Sequence, residues 1–388
     1  MRKFDTLFIG LSLLFGGVSH AQSISVAATP SCQEEVLTID NANQVIVQVD
    51  WLKDAVNYFS ESAYLRTDGL LVGGGSQGGL KSQMRFPQDV AHDNAGRTYV
   101  VDKNNNRVVR WSPGAIEGVV IIGANGPGSG LDQLRNPHGI YRTNNGSLYI
   151  ADRHNHRVVR WDEGAVQGVV VAGGNGAGPD LDQLDNPTSV VVAANGDVYV
   201  SDMRNDRVMK WAVGEVVGVV VAGGNGHGQD DNQLREPMGI ALDAANNLFV
   251  ADRKNNRIVK WEPAATNGSV VTGGLVVGTG LMELNNPMDV QIDADDNMYV
   301  ADYGNHRVLK YASGNPVGSL ITGQSQGNSL EKLSFPTGIS IDSLDGVYIT
   351  DSWNHRTVKW GIQLPSLTYL TDGDGSYSAS VTLRPVEE

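Results

Sequence analysis

The chain has 388 residues and a formal net charge of −14, from 43 acidic against 29 basic side chains. That balance opposes nonspecific attraction to phosphate backbones and anionic membrane surfaces, so nucleic acid is not an expected partner. Hydrophobic residues make up 40% of the chain, enough for a core, and the 47 glycines recur at fixed offsets, which reads as turn chemistry rather than disorder.

Residues 1–21 read as a secretion signal. Arg2 and Lys3 precede an apolar run from Leu7 to Val18, and Ser19-His20-Ala21 has the small-x-small form of a cleavage site. The run is shorter than the roughly 20 apolar residues of a membrane span. Cleavage after Ala21 predicts a secreted or periplasmic protein, and no later stretch predicts membrane insertion. An N-terminal extension follows over 22–69. Its Cys32 is the only cysteine, which excludes an internal disulfide, and it stands too far past the apolar run to be lipidated. Ile46 to Trp51 alternates in polarity, and Leu52, Val56 and Phe59 share a helical face, so a small packed lead-in is expected.

From residue 70 to 361 one unit recurs six times. Pro87, Pro137, Pro187, Pro237, Pro287 and Pro336 are each followed fifteen residues on by Asp102, Asp152, Asp202, Asp252, Asp302 and Asp351. Five residues later stand Arg107, Arg157, Arg207, Arg257, Arg307 and Arg356, and four beyond those Trp111, Trp161, Trp211, Trp261, Tyr311 and Trp360. A period near 50 residues marks stacked supersecondary units sharing one core. The unit starting at Pro137 reads as four strands, over 139–142, 147–151, 157–161 and 168–172. The tight turn Thr143-Asn144-Asn145-Gly146 joins the first two. Short, Val- and Ile-rich strands in fours define an all-β, six-bladed β-propeller of antiparallel blades.

Counting fourth strands predicts how the ring closes. Five copies lie inside the repeats, near 119, 169, 219, 270 and 319, but none with a Gly-rich loop follows Trp360. Leu70-Leu71-Val72-Gly73 resembles the missing copy, so an N-terminal strand is expected to complete the last blade and remove two open edges. The rival closure uses Leu367 to Leu370 beside Trp360. In the C-terminal extension, 362–388, that segment and Tyr377 to Leu383 read as a hairpin around Asp372-Gly373-Asp374-Gly375-Ser376.

The strings Pro-His-Gly-Ile (137–140), Leu-Tyr-Ile-Ala-Asp (148–152) and Asn-His-Arg-Val (155–158), with Asn305-His306-Arg307-Val308 and Asn354-His355-Arg356, resemble the NHL-repeat family. All six copies carry Arg where the family name records Leu. The resemblance implies a propeller, while NHL domains range in role from protein or RNA binding to lyase chemistry, so it leaves function open.

Features repeated in every blade read as scaffold. Each Asp and Arg are expected to pair bidentately across the second-to-third strand connection. The Asn between them (Asn105, Asn155, Asn205, Asn255, Asn305, Asn354) suits a left-handed turn, and the Trp series fills space between blades. The loop histidines His154, His156, His306 and His355 read as solvent-facing, without metal-ligand spacing.

Positions where the repeats disagree point to a site. Just after each Pro stand Gln88, His138, Thr188, Met238, Met288 and Thr337, then Asp89, Gly139, Ser189, Gly239, Asp289 and Gly338. They are expected to ring the mouth of the central channel. Asp89, His138, Thr188, Met238, Asp289 and Thr337, with Trp353 in a nearby loop, are the candidate ligand-binding residues. Six-bladed relatives of the resembled family include peptide-amidating lyases with three histidines on zinc at this mouth, but only His138 has such a position here. His138 with Asp89 and Asp289 suits a hard divalent cation better than zinc. No Ser-His-Asp or Cys-His set can be placed. The expected function is therefore non-catalytic recognition of an extracellular protein or glycan by a monomer without cofactor. A divalent-metal lyase or hydrolase using those three residues is the alternative.

Overall fold

A computed structural model describes residues 69–361 except 275 and 324, together with the backbone of five short strands outside that range. The signal at 1–21, Cys32 and the helical face of Leu52, Val56 and Phe59 lie outside the described residues. Two compact units are present, Thr67–Ile362 and the terminal segments Met1–Arg66 with Gln363–Glu388. In the terminal unit, Thr368–Thr371 pairs antiparallel with Tyr377–Ser380, which pairs in turn with Asp50–Trp51. Thr38–Ile39 pairs with Val45–Ile46. No helix among the described residues is long and apolar enough to cross a membrane.

Thr67–Ile362 is a six-bladed propeller of four-stranded antiparallel sheets. Blade 2 shows the pattern, with strands Ile140–Arg142, Leu148–Asp152, Arg157–Trp161 and Val169–Gly173. Gly146, at φ 90°, makes the first turn. Residues Arg153–Asn155 form a single 3-10 turn that the sequence pattern does not announce. The ring closes through the N-terminal strand: Leu70–Gly74 pairs antiparallel with Arg356–Trp360 in blade 6. Thr368–Thr371 is not part of that sheet.

Three repeated devices hold the blades. The first is the Trp series. Trp161 packs with Ala91, Tyr99 and Val101 of blade 1, and Trp211 with Tyr149 and Val158 of blade 2, so each ring fills the gap to the preceding blade. Large aromatic area buried between two sheets explains the recurrence. Glycine at the facing position is a steric need, because a Cβ on Gly73 would meet the Trp111 ring at 2.5 Å.

The second device is a buried polar knot. Asp152 Oδ1 accepts the Arg135 N–H at 2.7 Å, while Oδ2 accepts from Asn155 Nδ2 at 2.7 Å and Arg157 Nε at 2.8 Å. The pair is thus single-pronged, not bidentate. Arg157 turns its remaining nitrogens to the carbonyls of Ser129, Gly130 and Gln133 in the loop from blade 1. Burial pushes the Asp152 carboxyl above its usual range, against the pull of these donors. The same knot recurs at the other five aspartates, including Asp102 with Arg107 and Asp351 with Arg356.

The third device corrects two sequence expectations. Asn155 is not the left-handed residue; His156 is, at φ 53°. Its side chain is half-buried rather than solvent-facing, and its Nδ1 accepts the backbone N–H of Asn186, which opens blade 3. His306 and His355 take Phe335 N and Phe86 N in the same way. Asn106, Asp206 and Asn256 supply carboxyl or amide oxygens to Asn136, Glu236 and Asn286 at 2.8 Å. Each recipient precedes a repeat proline and is itself left-handed, at φ 50–56°. Six latches therefore tie every blade to the next, and the His355 latch spans the closure.

Candidate functional site at the channel mouth

The inner strands enter the ring just after the repeat prolines and run down the channel. A cavity of about 330 Å³ opens where they begin. Two sequence positions per blade build it: the residue after each proline and the residue after each knot aspartate. From the first come Gln88, His138, Met238 and Met288, and from the second Lys103, Arg153, Met203, Arg253, Tyr303 and Ser352. Phe86, Asn104 and Trp353 complete the rim.

The second position was not anticipated. Its signal is present in the sequence: Lys103, Arg153, Met203, Arg253, Tyr303 and Ser352 vary beside an aspartate that never does. The 3-10 turn explains the geometry, because it holds the aspartate in the knot while the next side chain faces the channel.

Two chemistries are interleaved at the mouth. Lys103, Arg153 and Arg253 stand on blades 1, 2 and 4. Arg253 pairs with Glu236 at 3.1 Å, but Lys103 and Arg153 have no carboxylate partner among the described residues. Burial and the nearby Arg153 and Arg253 pull the Lys103 pKa down to about 8. Burial, then Arg204 and Arg253, lower that of Arg153. Apolar side chains stand among these cations. Met203, Met238 and Met288 cluster with Tyr303. Beyond them Phe335 packs on Tyr303 and Trp353 at ring centroids 4.8 and 4.9 Å apart, and Trp353 is half exposed.

His138 stands on blade 2 beside Arg153. Its Nδ1 is 2.9 Å from the Thr188 carbonyl, which can only accept, so Nδ1 carries the proton. Burial, with Arg153 and Lys103 adding to it, holds the imidazole pKa well below its ordinary value. The ring is therefore neutral, and Nε2 is left with a free lone pair.

Of the sequence candidates, the structure brings His138, Met238 and Trp353 together at this cavity and places the others elsewhere. Thr188 and Thr337 are buried, and their hydroxyls donate to the Pro237 and Pro87 carbonyls of neighbouring blades. Asp89 and Asp289 lie deeper, at the waist of the channel. Asp89 Oδ2 accepts Ile140 N and Asp289 Oδ2 accepts Ile339 N, each from the next blade at 2.8 Å. Ser189 Oγ does the same for Ile240 N at 3.3 Å.

Polar residues alternate there with Gly139, Gly239 and Gly338, where a Cβ would press on the next blade at 2.8 Å or closer. Variation at this position thus follows an alternating belt that seals the ring below the first cavity. Burial lifts both carboxyls, that of Asp289 to about 7, and the Asp289 charge lifts Asp89 further.

His138, Asp89 and Asp289 accordingly do not form one ligand set. Among the described residues no three His, Cys, Asp or Glu side chains converge on a metal position. Below the belt, Asp89, His92, Arg142 and Ser340 line a second cavity of about 200 Å³.

A closed six-bladed ring with uniform knots and one chemically varied mouth defines a propeller built to present a site. Residues 134–161, 234–261 and 333–359 match the NHL repeat family model. The chain is a six-bladed β-propeller that carries three matches to the NHL repeat.

No curated protein sequence matches it. Among solved structures it is similar to a protein of unknown function from Bacteroides thetaiotaomicron, at 14% identity and TM-score 0.59, over 86% of this chain and 88% of that one. An auxiliary nutrient binding protein from the same organism is similar at 13% identity and TM-score 0.57, over 88% of each chain. A gluconolactonase from Xanthomonas campestris follows at 12% identity and TM-score 0.52, over 77% of this chain and 98% of that one. At such identities the shared feature is the fold.

Proposed function

We propose that the protein is a non-catalytic recognition module, acting outside the cytoplasm, that binds an extracellular protein or glycan at the channel mouth. The observation that carries this reading is the contrast between six near-identical knots and the unlike side chains standing one residue away around one cavity. A rigid ring presenting a mixed polar and apolar concavity has the form of a binding site. The similarity in fold to an auxiliary nutrient binding protein is in keeping with it. Export rests on the apolar run before Ala21.

The test is an array of extracellular proteins and polysaccharides probed with the mature protein, followed by titration of each hit. Saturable binding weakened by Trp353→Ala supports the reading. Turnover of a bound compound, or binding indifferent to every mouth residue, would overturn it. N-terminal sequencing of exported protein beginning elsewhere than Gln22 would remove the cleavage assignment.

A further inference from the structure

The recognition reading leaves the chemistry of the bound group open, and the mouth narrows it. In a chain of net charge −14, the cavity is lined by three cationic side chains and by no aspartate or glutamate. Glu236 pairs directly with Arg253 alone, while its charge and that of Asp185 reach Arg153 from beyond contact distance. The Arg153 Nε is buried without a hydrogen-bond partner, and its Nη2 rests 3.9 Å from the Met203 sulfur, a weak acceptor. A guanidinium fork left unpaired in a concavity is geometrically suited to a carboxylate. The unprotonated His138 Nε2 asks for a donor such as a hydroxyl. The aromatic rim offers flat apolar faces to a ring whose edges are polar.

Resting on the recognition reading above, we propose that the mouth binds a uronic acid residue of a glycan, its carboxylate at Arg153 and Lys103, a ring hydroxyl at His138 and its ring against the Trp353 side. A cavity of about 330 Å³ is at the small end of ligand pockets, a size for one or two sugar rings. A neutral sugar leaves two cations unanswered. A peptide carboxylate also answers them, with its own amide N–H as the donor to His138, but brings no polar-edged ring for the Trp353 side, so a free-carboxyl peptide is the competing ligand in the test.

The test is calorimetric titration of the mature protein with uronate trisaccharides (galacturonate, glucuronate and mannuronate). The comparison ligands are their methyl esters and a tripeptide with a free or amidated C-terminus. One acid is expected to bind with unit stoichiometry and at least about tenfold more tightly than its ester, the scale of one charge-assisted hydrogen bond. Added salt should narrow that gap. Arg153→Gln should erase the preference for acid over ester, with circular dichroism confirming the fold.

Equal binding of acid and ester, lost on Trp353→Ala, would overturn the uronate assignment and leave the recognition module standing. Selective binding of the free-carboxyl peptide would replace the glycan with a chain terminus. If no uronate binds while the array yields another mouth ligand, the proposal falls alone. If neither assay finds a mouth ligand, both readings fall.

Discussion

Asp152 and Arg153 are neighbours in sequence and opposites in role. Asp152 is fully buried, accepts three hydrogen bonds and repeats unchanged in every blade. Arg153 faces the channel, leaves its Nε unpaired and is replaced by Lys, Met, Tyr or Ser in four of the other blades. The start of one 3-10 turn thus separates a side chain that builds the ring from one that lines the channel mouth.

The comparison breaks most sharply by removing the buried partner. Asp152→Ala takes the acceptor from Arg157 Nε, Asn155 Nδ2 and the Arg135 N–H and leaves the Arg157 charge buried without its carboxylate, and should cost about 3–5 kcal/mol in a urea titration. Arg153→Gln, one residue away, should change stability by less than about 1 kcal/mol. Equal losses would mean that the two positions are not separate in kind. Next in size is the waist. Gly239→Ala drives a methyl group to 2.6 Å from the Asp289 Cα, which is backbone and cannot swing aside. An overpacking loss of about 1–3 kcal/mol is expected, read by calorimetry.

The waist carboxyl also gives a pH signature. Folded Asp289 keeps its proton to about 7, while an unperturbed carboxyl loses it near 3.8. Between those values the folded state holds more protons, so this contribution is complete below pH 4 and drains away as pH rises through 7. Asp93, Asp293 and Asp342, whose pKa values are depressed, act in the opposite sense. The readout is therefore the difference between variant and wild type. Asp289→Asn should flatten the decline in melting temperature from pH 4 to 7, and an unchanged slope would remove the buried proton.

The smallest effect belongs to Lys103. Because it titrates near 8, anion affinity at the mouth should fall as pH rises from 7 to 9. Lys103→Arg, which stays charged, should show no such fall.

Much of the ring was legible because its demands repeat. A tryptophan, a knot aspartate and a glycine turn are needed six times, so a period shows them against any background. The closing strand was legible for the same reason, since counting fourth strands left one missing and Leu70–Val72 matched it. The site was harder to read. His138, Met238 and Trp353 reach the cavity, yet Asp89 and Asp289 vary from blade to blade for a packing reason, the alternation of a polar cap with glycine. Difference between repeats is thus not by itself a mark of function. The cations at 103, 153 and 253 escaped notice because their orientation depends on a single turn whose residues carry no periodic signal. The latch histidines look exposed for a related reason, as their partner amides lie in the next blade, 30 and 29 residues on for His156 and His306 and 269 residues back for His355.

The clasp that closes blade 6 also sets a timetable. Leu70–Gly74 is made early, but its partner strand at Arg356–Trp360 comes about 290 residues later. Until then one strand of a finished protein waits with an open edge and two leucines, while five blades can already assemble from local pairings. The last blade is therefore a checkpoint of completeness: a chain stopped before residue 356 builds most of a propeller and cannot shut it. Such a fragment keeps a free sheet edge, and proteases and quality-control factors that act on unpaired strands would meet it before any ligand does.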